Sequence, residues 1–578
     1  MAKTTALFCL LALRLCAASA WEDYEPALRD GKMSRDEARS RLTRLWPVAA
    51  ILVAAIVAVP NVVVLSSLAT PNVELWLHLW RTQLVELALN TLALLAGVGA
   101  GTLVVGTVLA WLVVNYHFPG RGIFEWALIL PLAIPAYVIG FTFLGIFEFS
   151  GPLQTALRRW LGAGARLPEL RSWGGVTLMM TLVFYPYVYL LARAAFRAQG
   201  SAALETARSL GRSRLRAFLE VTLPLARPSL AAGVALAMME ALGDFGTVAT
   251  FGYRTLTEGI YRVWYGMFDR VAAAQLASVL LLCAGALLAL ERGSRGQQRF
   301  TQRERRGAEA APVVLRGARA AAATVTCAAV LALAFLLPVG QLALWSARAW
   351  AEGRVARDLG ALLANTLGLA AVAAVLTCLL AVVLAYAGRL HPSRATRWSA
   401  RFASLGYALP GAVIAVGVLI PLSALDHWMG ATLARLTGRP VGLLLTGSAV
   451  GLLFAYAVRF LAVSLQSVDA SLTRIAPSLD DAARSLGAGA GRTLRRVHLP
   501  LLRGGLAVAT VLVFVETMKE MPATLLLRPF GLNTLAMEVW ERTNEALWQE
   551  AAVPALAIVL AGLVPVIVVI RWSSATRG

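Results

Sequence analysis

Four carboxylates stand where apolar sequence should not hold them. The uncharged runs 228–239 and 504–515 end on Glu240 and Glu516, and Asp244 and Glu520 follow four residues later in each. Residues four apart share a helix face, so each segment is expected to show two acids on one side of a helix. Glu240 would lie roughly 18 Å of helix beyond Pro228, about halfway across a bilayer. A carboxylate at that depth is costly unless it faces a polar cavity or a partner, so its default reading is a pathway for solute. The competing reading is a local ion pair, for which Lys519 beside Glu520 is the obvious cation.

The elements that must carry these acids follow from composition. Hydrophobic residues make up 58% of the 578 and charged ones 15%, with a mean hydropathy of +0.69, far from an ordinary soluble chain. Apolar stretches long enough to cross a hydrocarbon core of ~30 Å run over 47–73, 87–120, 126–146, 173–192, 271–290, 320–347, 359–388, 402–425, 440–458 and 551–570. With the two acid-interrupted segments continuing past Glu240 and Glu516, twelve transmembrane helices are expected in an all-α, multi-pass membrane protein. The formal charge of +21 is almost wholly arginine, since Lys3, Lys32 and Lys519 are the only lysines. Loop 291–319 alone holds eight arginines, the cytoplasmic bias of a membrane protein rather than a nucleic-acid footprint. Cys9, Cys16, Cys283, Cys327 and Cys378 sit singly in apolar runs, and His78, His117, His391, His427 and His498 are scattered. No metalloenzyme pattern such as HExxH or CxxC occurs, and no metal site is assigned.

One motif occurs twice. Glu205-Thr206-Ala207-Arg208-Ser209-Leu210-Gly211 precedes Val221-Thr222-Leu223-Pro224 by nine residues, and Asp481-Ala482-Ala483-Arg484-Ser485-Leu486-Gly487 precedes Val497-His498-Leu499-Pro500 by the same nine, 276 positions later. Asn90-Thr91-Leu92 recurs as Asn365-Thr366-Leu367, and Pro135 as Pro410, each 275 apart. The chain therefore divides into an N-terminal extension (1–46), a first half (47–290), a basic cytoplasmic linker (291–319), a second half (320–571) and a tail (572–578). Six spans per half give both halves the same orientation, a parallel repeat about a pseudo-two-fold along the membrane normal.

Both motif copies fall between the fourth and fifth spans of their halves, on the side that charge bias makes cytoplasmic. A short helix should end at Gly211, and its copy at Gly487, as glycines tolerant of positive φ. A second short helix then leads into Leu223-Pro224 or Leu499-Pro500. Ser478, three residues before Asp481, suggests a capping box in the second copy, where the first has Ala202.

This pattern resembles the EAA loop of binding-protein-dependent ABC importer permeases, departing from it at Thr206, at Asp481 and at Val221 and Val497. The resemblance implies two ATPase-docking loops, carried by Glu205, Ala207, Gly211, Leu223 and Pro224 and by Asp481, Ala482, Ala483, Gly487, Leu499 and Pro500. Asp481 reaches less far than glutamate would. Two loops imply two copies of an ABC ATPase. The chain has no GxxxxGK[ST], its one Gly-Lys pair being Gly31-Lys32, so ATP and magnesium are expected on the partner and no cofactor on this chain. Segments Leu130–Tyr137, Tyr185–Tyr189, Gly243–Thr247 and Glu520–Phe530 are similar to fused ferric iron permeases. That similarity implies a bacterial inner membrane protein fed by a periplasmic binding protein, its bundles rocking between inward-open and outward-open states. Ferric iron, a hard cation, suits oxygen ligands such as Glu240, Asp244, Glu516 and Glu520. Thiamine, putrescine and sulfate permeases are the alternatives within the class.

A major-facilitator transporter also duplicates six spans, but expects a charged Gly-Asp-Arg-type loop where this sequence has Asn115–Arg121. An intramembrane enzyme would need clustered nucleophiles, bases or metal ligands inside the spans. Residues 1–20 resemble a signal peptide ending at Ala17-Ala18-Ser19-Ala20. Its cleavage would invert every later span, so an extra helix or a start at Met33 is expected instead.

Overall fold

The computed structural model describes residues 35–69, 73–199, 207, 209–295, 312–439 and 442–575. The signal-like segment 1–20, Met33, Glu205, Thr206 and most of the basic linker lie outside the described residues. Among the described residues twelve principal helices carry the chain: α1 (Arg35–Ser66), α2 (Val85–Asn115), α3 (Ala136–Phe147), α4 (Trp173–Gln199), α5 (Leu223–Gly243), α6 (Arg270–Arg295), α7 (Gly317–Ala351), α8 (Leu359–Leu390), α9 (Gly411–Thr437), α10 (Ala449–Leu472), α11 (Leu499–Lys519) and α12 (Trp548–Ala575). Among the described residues eleven spans are long and apolar enough to cross a membrane, and Trp548–Val564 adds a shorter apolar helix. Each of the twelve sequence segments falls on one of these helices.

Two of the expected boundaries that move do so at a proline. The segment expected over 126–146 first forms a short helix (Arg121–Ala127) and a tight turn (Leu130–Ala133), and α3 begins only after Pro135. Its copy expected over 402–425 begins at Gly411, after Pro410. Proline disfavours helical backbone in the residue before it but fits a helix start. Prolines inside spans are eased differently. Wide π-type turns at Phe218–Thr222, Ala332–Leu336 and Leu494–His498 each end one residue before a Leu-Pro pair, loosening the backbone that the ring would otherwise crowd.

The chain forms two compact units that cut across the repeat. One joins the chain up to Ser66 with Ala361–Thr534, and the other joins Ser67–Gly360 with Leu535–Gly578. In the first, α1 packs on α9 and on the amphipathic helix Arg394–Ala403, and Trp46 sets its ring edge-on to Tyr386 of α8 at 4.8 Å. In the second, α7 packs along α12 and against α3, where Phe141 stacks with Trp548 at 6.2 Å. The first span of each repeat thus belongs to a unit made largely of the other repeat.

Trp46 is 5% exposed, and truncating a buried tryptophan costs about 3–5 kcal/mol. Trp46→Ala should therefore lower the melting temperature of the detergent-purified protein markedly, and Trp46→Phe, which keeps an aromatic edge, much less.

Candidate functional site

The second motif copy is a helix from Pro477 to Ser485. Its N-cap is Ala476, which makes no side-chain capping bond, and Pro477 takes the first helical position, where a missing N–H costs nothing. The capping box expected from Ser478 is therefore not formed: the helix starts earlier, and Ser478 lies within its first turn. The end matches expectation. Gly487 has φ +78°, its N–H bonds the Arg484 carbonyl at 2.9 Å, and the Ala488 N–H bonds that of Ala483 at 2.9 Å. Gly211 has φ +82°, and the Arg212 N–H closes on the Ala207 carbonyl at 3.1 Å. Both turns so satisfy carbonyls that a helix end leaves open. Ala207 and Ala483 are buried beneath these turns, while Leu210 and Leu486 stand 78% and 86% exposed. Asp481 is exposed and pairs with Arg484. Short helices, Arg214–Ala217 and Ala490–Thr493, then lead through the π-type turns to Leu223-Pro224 and Leu499-Pro500.

What anchors the two copies differs. At the end of α8, Arg389 donates to Asp480 at 2.8 Å and to the carbonyls of Leu472 and Ile475 at 2.7 and 3.0 Å. His498 Nε2 lies 2.6 Å from the other Asp480 oxygen, and the Tyr386 hydroxyl donates to the Ala490 carbonyl at 2.7 Å. Sequence reading passed over this cluster; the one visible signal was a second acid, Asp480, at the position matching Leu204 in the first copy. In the first half Trp111, matching Tyr386, packs on Phe196 and Phe218 at 5.8 and 4.2 Å. There the neighbouring helix Arg121–Ala127 is tied to α4 by charge, with Arg197 bonding Glu125 at 2.6 Å. Burial would raise the Glu125 carboxyl, but the bond and charge of Arg197, with the charges of Arg193 and Arg121, hold it below the usual value.

The intramembrane carboxylates correct one expectation. α5 stops at Gly243 and α11 at Lys519, so Asp244 and Glu520 do not share a helix face with Glu240 and Glu516. Both have extended backbone and turn their carboxylates onto the short helices that follow. Asp244 accepts from the Thr247 N–H at 2.8 Å and its hydroxyl at 3.1 Å. Glu520 accepts from the N–H groups of Ala523 and Thr524 at 2.9 and 3.0 Å, from the Thr524 hydroxyl at 2.8 Å, and from Arg459 at 3.1 Å. Its side chain is 1% exposed. Lys519 pairs with Glu516 at 2.7 Å within one helix turn, while Glu520 has left the helix. Glu240, like Glu516, is half-buried. Among the described residues no three His, Cys, Asp or Glu side chains gather as a metal site.

Comparison with known proteins decides the class. The sequence profile of the binding-protein-dependent transport system inner membrane component matches residues 102–290 and again 377–575. The chain belongs to this family. It is the membrane-spanning permease subunit of an ABC importer, a non-catalytic component that works with an ATPase and a binding protein. A Fe(3+)-transport system permease protein of Haemophilus influenzae is 28% identical over 87% of this chain and 92% of its own length. A sulfate transport system permease of Salmonella typhimurium is 32% identical over 35% of this chain and 72% of its own. A molybdenum transport system permease of Escherichia coli is 32% identical over 36% and 88%.

The Glu520 cluster yields a stability prediction for this permease. Arg459→Met would leave a buried carboxylate without its cation, a loss of about 3–5 kcal/mol. Thermal unfolding in detergent should show a large drop for Arg459→Met and a substantial recovery in Arg459→Met/Glu520→Gln, where the amide needs no counter-charge.

Proposed function

We propose that this permease carries ferric iron across a bacterial inner membrane, receiving it from a periplasmic binding protein and driven by two copies of an ATPase that hold ATP and magnesium. One observation carries the cargo reading. The Fe(3+)-transport relative matches 87% of the double-length chain, whereas the sulfate and molybdenum permeases each cover about a third of it. Charge supports a cation as well. The second half sets Lys519 and Arg459 beside Glu516 and Glu520, while the first half keeps both acids and has Gly243 and Val183 at the positions matching those two cations. An oxyanion such as sulfate or molybdate would be repelled there, and a hard trivalent cation attracted.

In this reading Glu240 and Glu516, each three residues before the end of its helix, are the pathway acids. Asp244 and Glu520 mark the outer edge of the pathway and hold the helix breaks in shape. The ATPases engage the loops bearing Glu205, Ala207 and Gly211 and Asp481, Ala482, Ala483 and Gly487, with Leu223-Pro224 and Leu499-Pro500 passing the movement into α5 and α11. Exposed Leu210 and Leu486 give each loop an apolar contact beside a fixed turn.

Two experiments test this. Glu240→Gln/Glu516→Gln keeps shape and removes charge. In reconstituted vesicles it should cut ferric iron uptake severalfold with ATPase stimulation retained; uptake at the parental rate would overturn the pathway assignment, and uptake of sulfate or molybdate by the parental protein would replace the cargo. For docking, left-handed backbone costs a β-branched residue about 1–2 kcal/mol or more, whereas asparagine tolerates it. Gly487→Val should release the ATPase on co-purification, and Gly487→Asn should retain most of it.

A further inference from the structure

The docking helix Pro477–Ser485 is joined to its own half by charge. Arg389 sits at the end of α8, Asp480 within the docking helix, His498 at the entry to α11, and the carbonyls that Arg389 also holds, Leu472 and Ile475, cap the end of α10. The side chains are 14%, 24% and 1% exposed for Arg389, Asp480 and His498, so little water screens the contacts. A guanidinium is a rigid planar fork, and this one is bonded in three directions at once. It cannot follow Asp480 without pulling on α8 or giving up the α10 carbonyls. The exposed Asp481–Arg484 pair one residue along is local to the helix and solvated, and transmits nothing.

At the matching positions the first half has Leu204, Thr222 and Val114, with Trp111 for Tyr386. Trp111 instead packs on aromatic rings, and apolar packing has no preferred direction of pull. We propose that the Arg389–Asp480–His498 cluster is a coupling element of the second half, passing displacement of its docking helix to α8, α10 and α11 through a directional link whose three side chains the first half replaces with Val114, Leu204 and Thr222. The three are positioning residues acting through the docking helix. The two ATPase strokes then enter this permease unequally. The proposal rests on the docking reading above and adds to it which residues carry the movement onward.

The test is the stoichiometry of transport in proteoliposomes holding the full chain, its ATPase and its ferric-loaded binding protein. Asp480→Leu, which installs the first-half residue, and Arg389→Leu should each lower iron imported per ATP hydrolysed several-fold, and the double variant no further, while the ATPase still co-purifies and hydrolyses. A merely structural loss would lower transport and hydrolysis together. Parental ratios in both single variants overturn the proposal. So does loss of the ATPase from Asp480→Leu, which would make Asp480 a docking contact. Should Asp480→Leu not insert, Asp480→Asn is read by the same two measures. Failure of the docking reading is separately visible: Gly487→Val would then keep its ATPase whatever these ratios do.

Discussion

In a hydrocarbon core a helix can stop only where the polar groups it releases find partners, because water is not there to take them. The breaks at Gly243 and Lys519 meet that demand with a carboxylate each. Asp244 and Glu520 are the first residues out of the helix, and their oxygens accept the N–H groups at the start of the next one. An acid at a helix start is favoured twice, by hydrogen bonds and by the positive end of the helix dipole. These breaks in turn allow the chain to turn back through the short helices Gly246–Thr250 and Pro522–Leu527 before the last span of each repeat. Placing Glu240 and Glu516 one turn before a break follows from the same constraint.

The two copies meet this constraint with different chemistry. Glu520 is fully satisfied, with four hydrogen bonds including the one from Arg459, and Tyr456 holds the Thr524 hydroxyl at 2.7 Å from the other side. Asp244 relies on Thr247, with valine where Arg459 would be. A divergence recurs near the cytoplasmic loops, where among the described residues Arg389 bonds Asp480 in the second half and Trp111 packs on Phe196 and Phe218 in the first. Fusion of the halves in one chain permits this. A permease made of two identical subunits would carry every such substitution twice, whereas a fused one can neutralise or stiffen one side alone.

The compact units add a further consequence of fusion. Because α1 is packed with second-repeat helices, the first repeat as cut from the sequence would not bury its own first span, whereas α7 has α12 of its own repeat beside it as well as α3 of the first. Trp46 on Tyr386 illustrates the point, since Tyr386 also bonds the carbonyl of Ala490 behind the second docking helix. A contact made by the first span is thus two side-chain steps from the second motif loop.

Much of this was legible in the residues themselves. Span number follows from apolar length, because the thickness of a bilayer leaves little choice. The repeat, and with it the duplicated loop motif, follows from identical internal spacing, and positive φ at Gly211 and Gly487 follows from the need for a residue without Cβ at a helix end. Tertiary structure alone decided where the acids point. Equal spacing put Asp244 on the face of Glu240, yet a helix ending between them turns that regularity into a cap, and nothing local to Gly243 or Lys519 announces the stop. It also decided that Lys519 serves Glu516, that Arg459 reaches Glu520 from 61 positions away, and that Arg389, Asp480 and His498 meet. Pairings between distant residues depend on how helices pack side by side, and a sequence records each helix's own period but not the neighbour against which its polar face will come to rest.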